Sequence, residues 1–165
     1  MKLIVILCLS LMSLKANAQI DSVDQLVSKG IDSIQFSIWN VMNKELSTRN
    51  NVQTYQRLIA KKRLEKKDKK LFLKTVVNPK SYNQSRAVLT HHNLVFSLYA
   101  ENKIVLEIKI SSYTGNINIG KKTDGIFIRS HCSKRFSKVL VRLLKRNGFL
   151  VLMDDLLTEG IRSNE

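Results

Sequence analysis

From Lys103 to Ser111, Ile104, Leu106, Ile108 and Ile110 fall on one side of an extended chain. Val105, Glu107, Lys109 and Ser111 fall on the other. This period of two is the signature of a half-buried antiparallel strand. It constrains the fold more than any other stretch, because an apolar sheet face must be covered by another layer. Residues 88–99 supply the partner strand of a hairpin. Glu101-Asn102 stands where the tight turn must be, with Asn102 able to take a positive φ. Thr114-Gly115-Asn116 turns the chain into Ile117-Asn118-Ile119, and Lys121 to Gly125 turns it again into Ile126-Phe127-Ile128. A strand is also expected over Leu71 to Val77, ended by Asn78-Pro79 and followed by a polar loop, Lys80 to Gln84. The expected fold is α+β: an antiparallel β-meander of four to five strands packed against helices.

The helices come from the 3.6-residue period. Phe136, Val139, Leu140, Leu143 and Leu144 make residues 133–147 the clearest helix, capped by Ser133 or Ser130 and stopped by Asn147-Gly148. Over residues 20–47, Val23, Leu26, Val27, Ile31, Ile34, Ile38, Val41 and Met42 also follow a helical spacing, with Gly30 as a weak point. The sub-run Ile34-Gln35-Phe36-Ser37-Ile38 alternates as a strand would, but the longer period favours helix. Ser47 to Asn50 break the pattern and lead into a second expected helix, Asn51 to Lys67, on the surface with Val52, Tyr55, Leu58, Ile59 and Leu64 as its narrow buried stripe, so that residues 20–67 read as helical. After Gly148, Phe149 to Met153 fit a last short strand, and Asp154 fits the cap of a terminal helix.

Residues 1–18, MKLIVILCLSLMSLKANA, have the three parts of a secretory signal peptide. Lys2 is the positive start, Leu3 to Leu14 the apolar centre, and Ala16-Asn17-Ala18 a small-x-small cleavage site. The apolar run is shorter than the about 20 residues a membrane crossing needs. Cleavage after Ala18 is expected to leave residues 19–165 as a single secreted or periplasmic domain with no transmembrane anchor. Cys8 leaves with the peptide, being set behind Val5-Ile6-Leu7 rather than the small residues expected before a lipidated cysteine. Only Cys132 then remains, so no disulfide can form within the mature chain and the core must hold the domain.

The whole chain carries a formal charge of +15. Without Lys2 and Lys15 the mature domain has 26 Lys and Arg against 13 Asp and Glu, a net +13. Such a charge favours acidic partners. Two stretches concentrate it: Lys61, Lys62, Arg63, Lys66, Lys67, Lys69 and Lys70, continuing to Lys74, and Lys134, Arg135, Lys138 and Arg142, continuing to Lys145 and Arg146. Should they share a face, they form one broad cationic surface; otherwise they are two separately solvated helix faces. The aromatic platforms of single-strand readers are missing around these runs, and nucleic acid is not the partner expected at an exported domain's location. An envelope polyanion or an acidic protein is the expected partner.

Chemical motifs are sparse. His131-Cys132 lies between an expected strand ending at Arg129 and the helix from 133. A thiol at a helix N-terminus beside Arg129, Lys134 and Arg135 would have a lowered pKa. The stretch His131-Cys132-Ser133-Lys134-Arg135-Phe136-Ser137-Lys138 resembles the phosphate-binding loop of protein tyrosine phosphatases, a His-Cys pair followed after five residues by Arg. Lys138 replaces that arginine and cannot grip two phosphate oxygens in one plane. The five-residue loop also contains no glycine. His91-His92 are adjacent, so in a strand they face opposite sides and cannot easily chelate one metal. No Gly-rich phosphate loop, Gly-x-Ser-x-Gly elbow or HExxH is present, and Asp154-Asp155 read as caps. The sequence thus calls for no cofactor and no metal. It favours a non-catalytic binding domain, the alternative being a cysteine-dependent, phosphatase-like hydrolase using Cys132 with His131.

Overall fold

The computed structural model describes residues 23–28, 30–46, 51–83, 92–112, 114–121 and 125–149. In chain order these form α1 (residues 23–28), β1 (Ser33–Leu46), β2 (Asn51–Arg63), α2 (Lys66–Val76), a single 3-10 turn (Pro79–Ser81), β3 (Tyr82–Asn83), β4 (Leu94–Ala100), β5 (Lys103–Ile110), β6 (Asn116–Lys121), β7 (Gly125–Cys132) and α3 (Lys134–Arg146). The seven strands make one antiparallel sheet in the order β2-β1-β4-β5-β6-β7-β3. The α+β class stands, with seven strands in place of the expected four to five.

The meander follows from the alternation. Phe96, Ile108, Ile119 and Ile128 lie in one cross-strand row, flanked by rows containing Leu94, Ile110 and Ile117 and containing Leu98 and Leu106. All of these are buried. Glu101 and Asn102 both take positive φ, 50° and 63°, the geometry of a two-residue hairpin turn. Helix α3 begins after Ser133, whose hydroxyl accepts a hydrogen bond from the Phe136 N–H, and ends at Arg146, with Gly148 at φ 85° turning the chain just beyond.

The N-terminal half departs from the helical expectation. Helix is described only over residues 23–28; Gly30, at φ 98°, turns the chain, and β1 starts at Ser33. There the local alternation prevails over the longer helical spacing, because Ile34, Phe36 and Ile38 find partners in Leu98, Phe96 and Leu94 of β4. Residues 51–63, expected as helix, pair with β1 as β2. The helix starts only at Lys66 and takes in Leu71 to Val76, where a strand was expected. In helical geometry Asp68, Phe72, Thr75 and Val76 fall on one buried stripe. Tyr82–Asn83, in the expected polar loop, becomes an edge strand on β7. The described chain stops at Phe149, which is not in a strand, so the rest of the expected Phe149 to Met153 strand and the Asp154 cap lie outside the described residues, as do the signal segment 1–18 and His91.

Because β2 and β3 are opposite edges of the sheet, α2 must carry the chain across one of its faces. Helix α3 returns over the same face. The Ser133 N–H donates to the Ser81 carbonyl at 2.9 Å, Phe136 meets Phe72, and Arg146 meets Asp68, so α2 and α3 run antiparallel, side by side. Between helices and sheet lies the core. Phe72 stacks on Phe96 at 4.2 Å, Phe96 on Phe36 at 5.6 Å, and Phe149 meets Phe36 edge-on at 5.2 Å. Such contacts add about 0.5–1.5 kcal/mol each beyond burial. The other sheet face has no helix packed on it among these elements. Among the described residues no helix is long and apolar enough to cross a membrane.

Candidate functional site

The two basic stretches meet in one layer. On α2, residues 68, 72, 75 and 76 point into the core, which turns Lys66, Lys67, Lys70 and Lys74 outward and leaves them exposed. On α3, Phe136, Leu140, Leu143 and Leu144 are buried, and Lys134, Arg135, Lys138, Arg142, Lys145 and Arg146 are exposed. Both helices rest on the same sheet face, so these cations lie on its outer side together, with Arg146 alone reaching back to Asp68. The single acid in either helix, Asp68, is buried.

Asp68 locks the layer. Its Oδ1 accepts from Arg146 Nη1 at 2.8 Å and its Oδ2 from Asn147 Nδ2 at 3.4 Å. The first turn of α2 is thereby tied to the last turn of α3. Lys62 Nζ donates to the Asn147 carbonyl at 3.4 Å and adds a cation at the negative end of the α3 dipole.

Not every expected cation joins this surface. Lys69 turns inward and donates to the carbonyls of Ile31 and Asp32 at 2.8 and 3.0 Å, pinning the start of β1 to α2. Lys61 and Arg63 belong to β2, not to a helix. They pair with Ser37 and Gln35, whose side chains lie on the face opposite the helices. Strand alternation thus separates Lys61 and Arg63 from Lys62, a split that a helical reading of residues 51–67 could not show.

Cys132 stands at the end of β7, not in a loop. The strand runs past Arg129 to Cys132, so His131 and Cys132 point to opposite faces of the sheet. Cys132 pairs with Tyr82 of β3, is 3 % exposed, and lies against the core. Burial pushes its thiol pKa far up, the reverse of the activation expected at a helix N-terminus. Burial, and then the neighbouring Cys132, also raise the pKa of the Tyr82 hydroxyl, which donates to the Val76 carbonyl. His131 Nδ1 lies 2.9 Å from the Cys132 carbonyl, and its ring covers Gly115. A Cβ at Gly115 would come within 2.8 Å of His131 Cε1 and Nε2, and its φ of 70° also requires glycine. The histidine is therefore packed against backbone and is not paired with the thiol. Nor do three potential metal ligands converge anywhere among the described residues.

The residues that sequence reasoning missed are apolar. Leu58 and Ile59 of β2 are 42 % and 44 % exposed, beside Trp39 of β1. Two adjacent bulky apolar residues between Arg57 and Lys61 were visible in the sequence, but a helical reading placed Leu58 and Ile59 in a buried stripe. No family model, curated protein or solved structure matches the chain.

Proposed function

We propose that this is a secreted or periplasmic, non-catalytic domain that binds an acidic partner, an envelope polyanion or an acidic protein, through the outer face of α2 and α3. One observation carries the reading: the two antiparallel helices expose ten Lys and Arg side by side, and their one acid is buried beneath them. Like charges at this density repel, and within the two helices only Arg146 meets an acid, the buried Asp68. Lys134 and Arg135 even sit in the first turn of α3, where no acid is present and the helix dipole already adds positive charge. A surface serving only solubility gains nothing from that placement, whereas an anion crossing both helices neutralises all of it. The thiol chemistry of Cys132 finds no support in this geometry, because the sulfur is enclosed.

The test is retention on immobilised dextran sulfate as a function of salt. Replacing Lys70→Glu, Lys138→Glu and Arg142→Glu together is expected to weaken binding at least about tenfold and to flatten its dependence on salt, as fewer counterions are released. Lys103→Glu, Lys109→Glu and Arg129→Glu change the net charge equally but lie off the helices. If this control triple weakens retention as much, charge alone drives binding and the assignment to the helical layer fails. The proposed export is tested separately: the protein recovered outside the cytoplasm should begin at Gln19.

A further inference from the structure

We propose that the root of the β1–β2 ribbon is a docking surface for an anionic lipid bilayer. β1 has 14 residues, but only Ser33 to Ile38 pair with β4. The Trp39 N–H donates to the Asn93 carbonyl at 2.8 Å, and from there to Leu46 the strand's partner among the described residues is β2. Asn93 makes this point rigid. It is buried, and its side chain exchanges two hydrogen bonds with Ser112, at 2.7 and 2.8 Å.

At the same point β2 bulges. Ile38 faces Ala60 and Trp39 faces Leu58, which leaves Ile59 without a partner across the strand. The Trp39 indole N–H donates to Ser37 Oγ at 3.1 Å, two residues along the same strand, so the ring lies on the face not covered by α2 and α3. Leu58, its cross-strand partner, lies beside it. Leu58 and Ile59 are the exposed large apolar residues of the described chain. Lys61 and Arg63, both exposed, follow one and two pleats along the same face.

An indole with two protruding aliphatic side chains, bordered by a lysine and an arginine, matches the chemistry of a bilayer interface. The indole sits at headgroup depth, the aliphatic groups enter the acyl boundary, and the cations meet anionic headgroups. Pairing with a second copy along the β2 edge fits less well. A bulge and flanking Lys and Arg are the devices by which sheet edges resist strand addition. This surface lies on the opposite side of the sheet from the helical layer and goes beyond the reading proposed for that layer.

Trp39 is the chain's only tryptophan, so its emission reports this root and no other part of the molecule, residues 1–18 included. Mixing the full chain with vesicles of phosphatidylglycerol and phosphatidylcholine should shift Trp39 emission to the blue, and brominated lipids should quench it. Vesicles of phosphatidylcholine alone should require at least about tenfold more lipid for the same shift. Leu58→Ser with Ile59→Ser, both at exposed positions, should abolish the shift and leave dextran sulfate retention unchanged. The helix triple Lys70→Glu, Lys138→Glu and Arg142→Glu should do the reverse. Emission that stays unchanged while the protein sediments with anionic vesicles would overturn the proposal and leave the helical layer as the lipid-facing side. A blue shift that grows with protein concentration without lipid, and is lost in the Leu58/Ile59 variant, would overturn it in favour of a dimer. Quenching in the unaltered chain needs no variant to fold.

Discussion

The outer face of α2 and α3 and the root of the β1–β2 ribbon are both cationic, and they differ in what accompanies the charge. On the helices the large apolar side chains are buried in the core or, like Leu71, Leu73, Val139 and Val141, half-buried against it, so the exposed residues are all Lys and Arg. At the ribbon root the cations adjoin exposed Leu58 and Ile59 and half-buried Trp39, on a face that neither α2 nor α3 covers. The difference is one of secondary structure. A helix two layers deep can dedicate one side to the core and the other to charge. Where only two strands pair among the described residues, a side chain has little core to be buried against. Binding at the first surface should fade as salt screens it, whereas the apolar contribution at the second should persist.

The largest effect should come from the residue that seats the helical layer. Phe72 is fully buried between helix and sheet, stacked on Phe96. Phe72→Ala is expected to cost about 3–5 kcal/mol in urea unfolding. Under mild denaturant it should reduce dextran sulfate retention before it alters the Trp39 response to lipid. If both surfaces fail together, they are parts of one cooperative unit.

A smaller effect with two signs is expected at Asp68. Asp68→Ala removes the acceptor of Arg146 and Asn147 and should lower stability by about 1–3 kcal/mol. It also frees Arg146 and deletes the only negative charge in either helix, so dextran sulfate should bind more tightly. The lipid response of Trp39 should stay as it was. Weaker polyanion binding in a folded Asp68→Ala variant would show that the layer acts through its geometry and not its charge.

Cys132 belongs to neither surface and supplies the smallest effect. Its folded thiol pKa lies above the ordinary value of 9.0. The thiol's contribution to stability is therefore complete below pH 9 and is lost as pH rises past it, by about 1.4 kcal/mol per unit, since the unfolded chain gives up the proton first. Between pH 9 and 10, Cys132→Ala should show a flatter decline in melting temperature than the unaltered protein. Both binding surfaces should be unchanged, and a thiol reagent should label Cys132 of the native protein only as fast as it unfolds.

Strands β4 to β7 and helix α3 were legible because each carries one period strongly. Ile104, Leu106, Ile108 and Ile110 admit no helical reading, and Phe136, Leu140, Leu143 and Leu144 admit no strand. Residues 23–46 carry both periods at once, and 51–63 carry few apolar positions of any period, so local pattern could not decide between helix and strand. The cationic residues were all visible. Which of them share a side was not, because Lys62 joins the helical layer while Lys61 and Arg63 face away from it only once residues 51–63 are a strand. His131-Cys132 misled for the same reason: three more residues of strand turn an exposed junction into a buried sulfur and a histidine on the opposite face.

The sequence alone determined the antiparallel meander, its Glu101-Asn102 turn, the capped last helix and a large excess of positive charge. These rest on local periodicity and local turn chemistry, which neighbouring residues along the chain can specify. Tertiary structure decided that Ile34, Phe36 and Ile38 pair with β4, that α2 and α3 lie together, and that Leu58 and Ile59 stay in solvent. Those outcomes depend on partners distant in sequence, where the burial of an entire face outweighs what any short segment prefers.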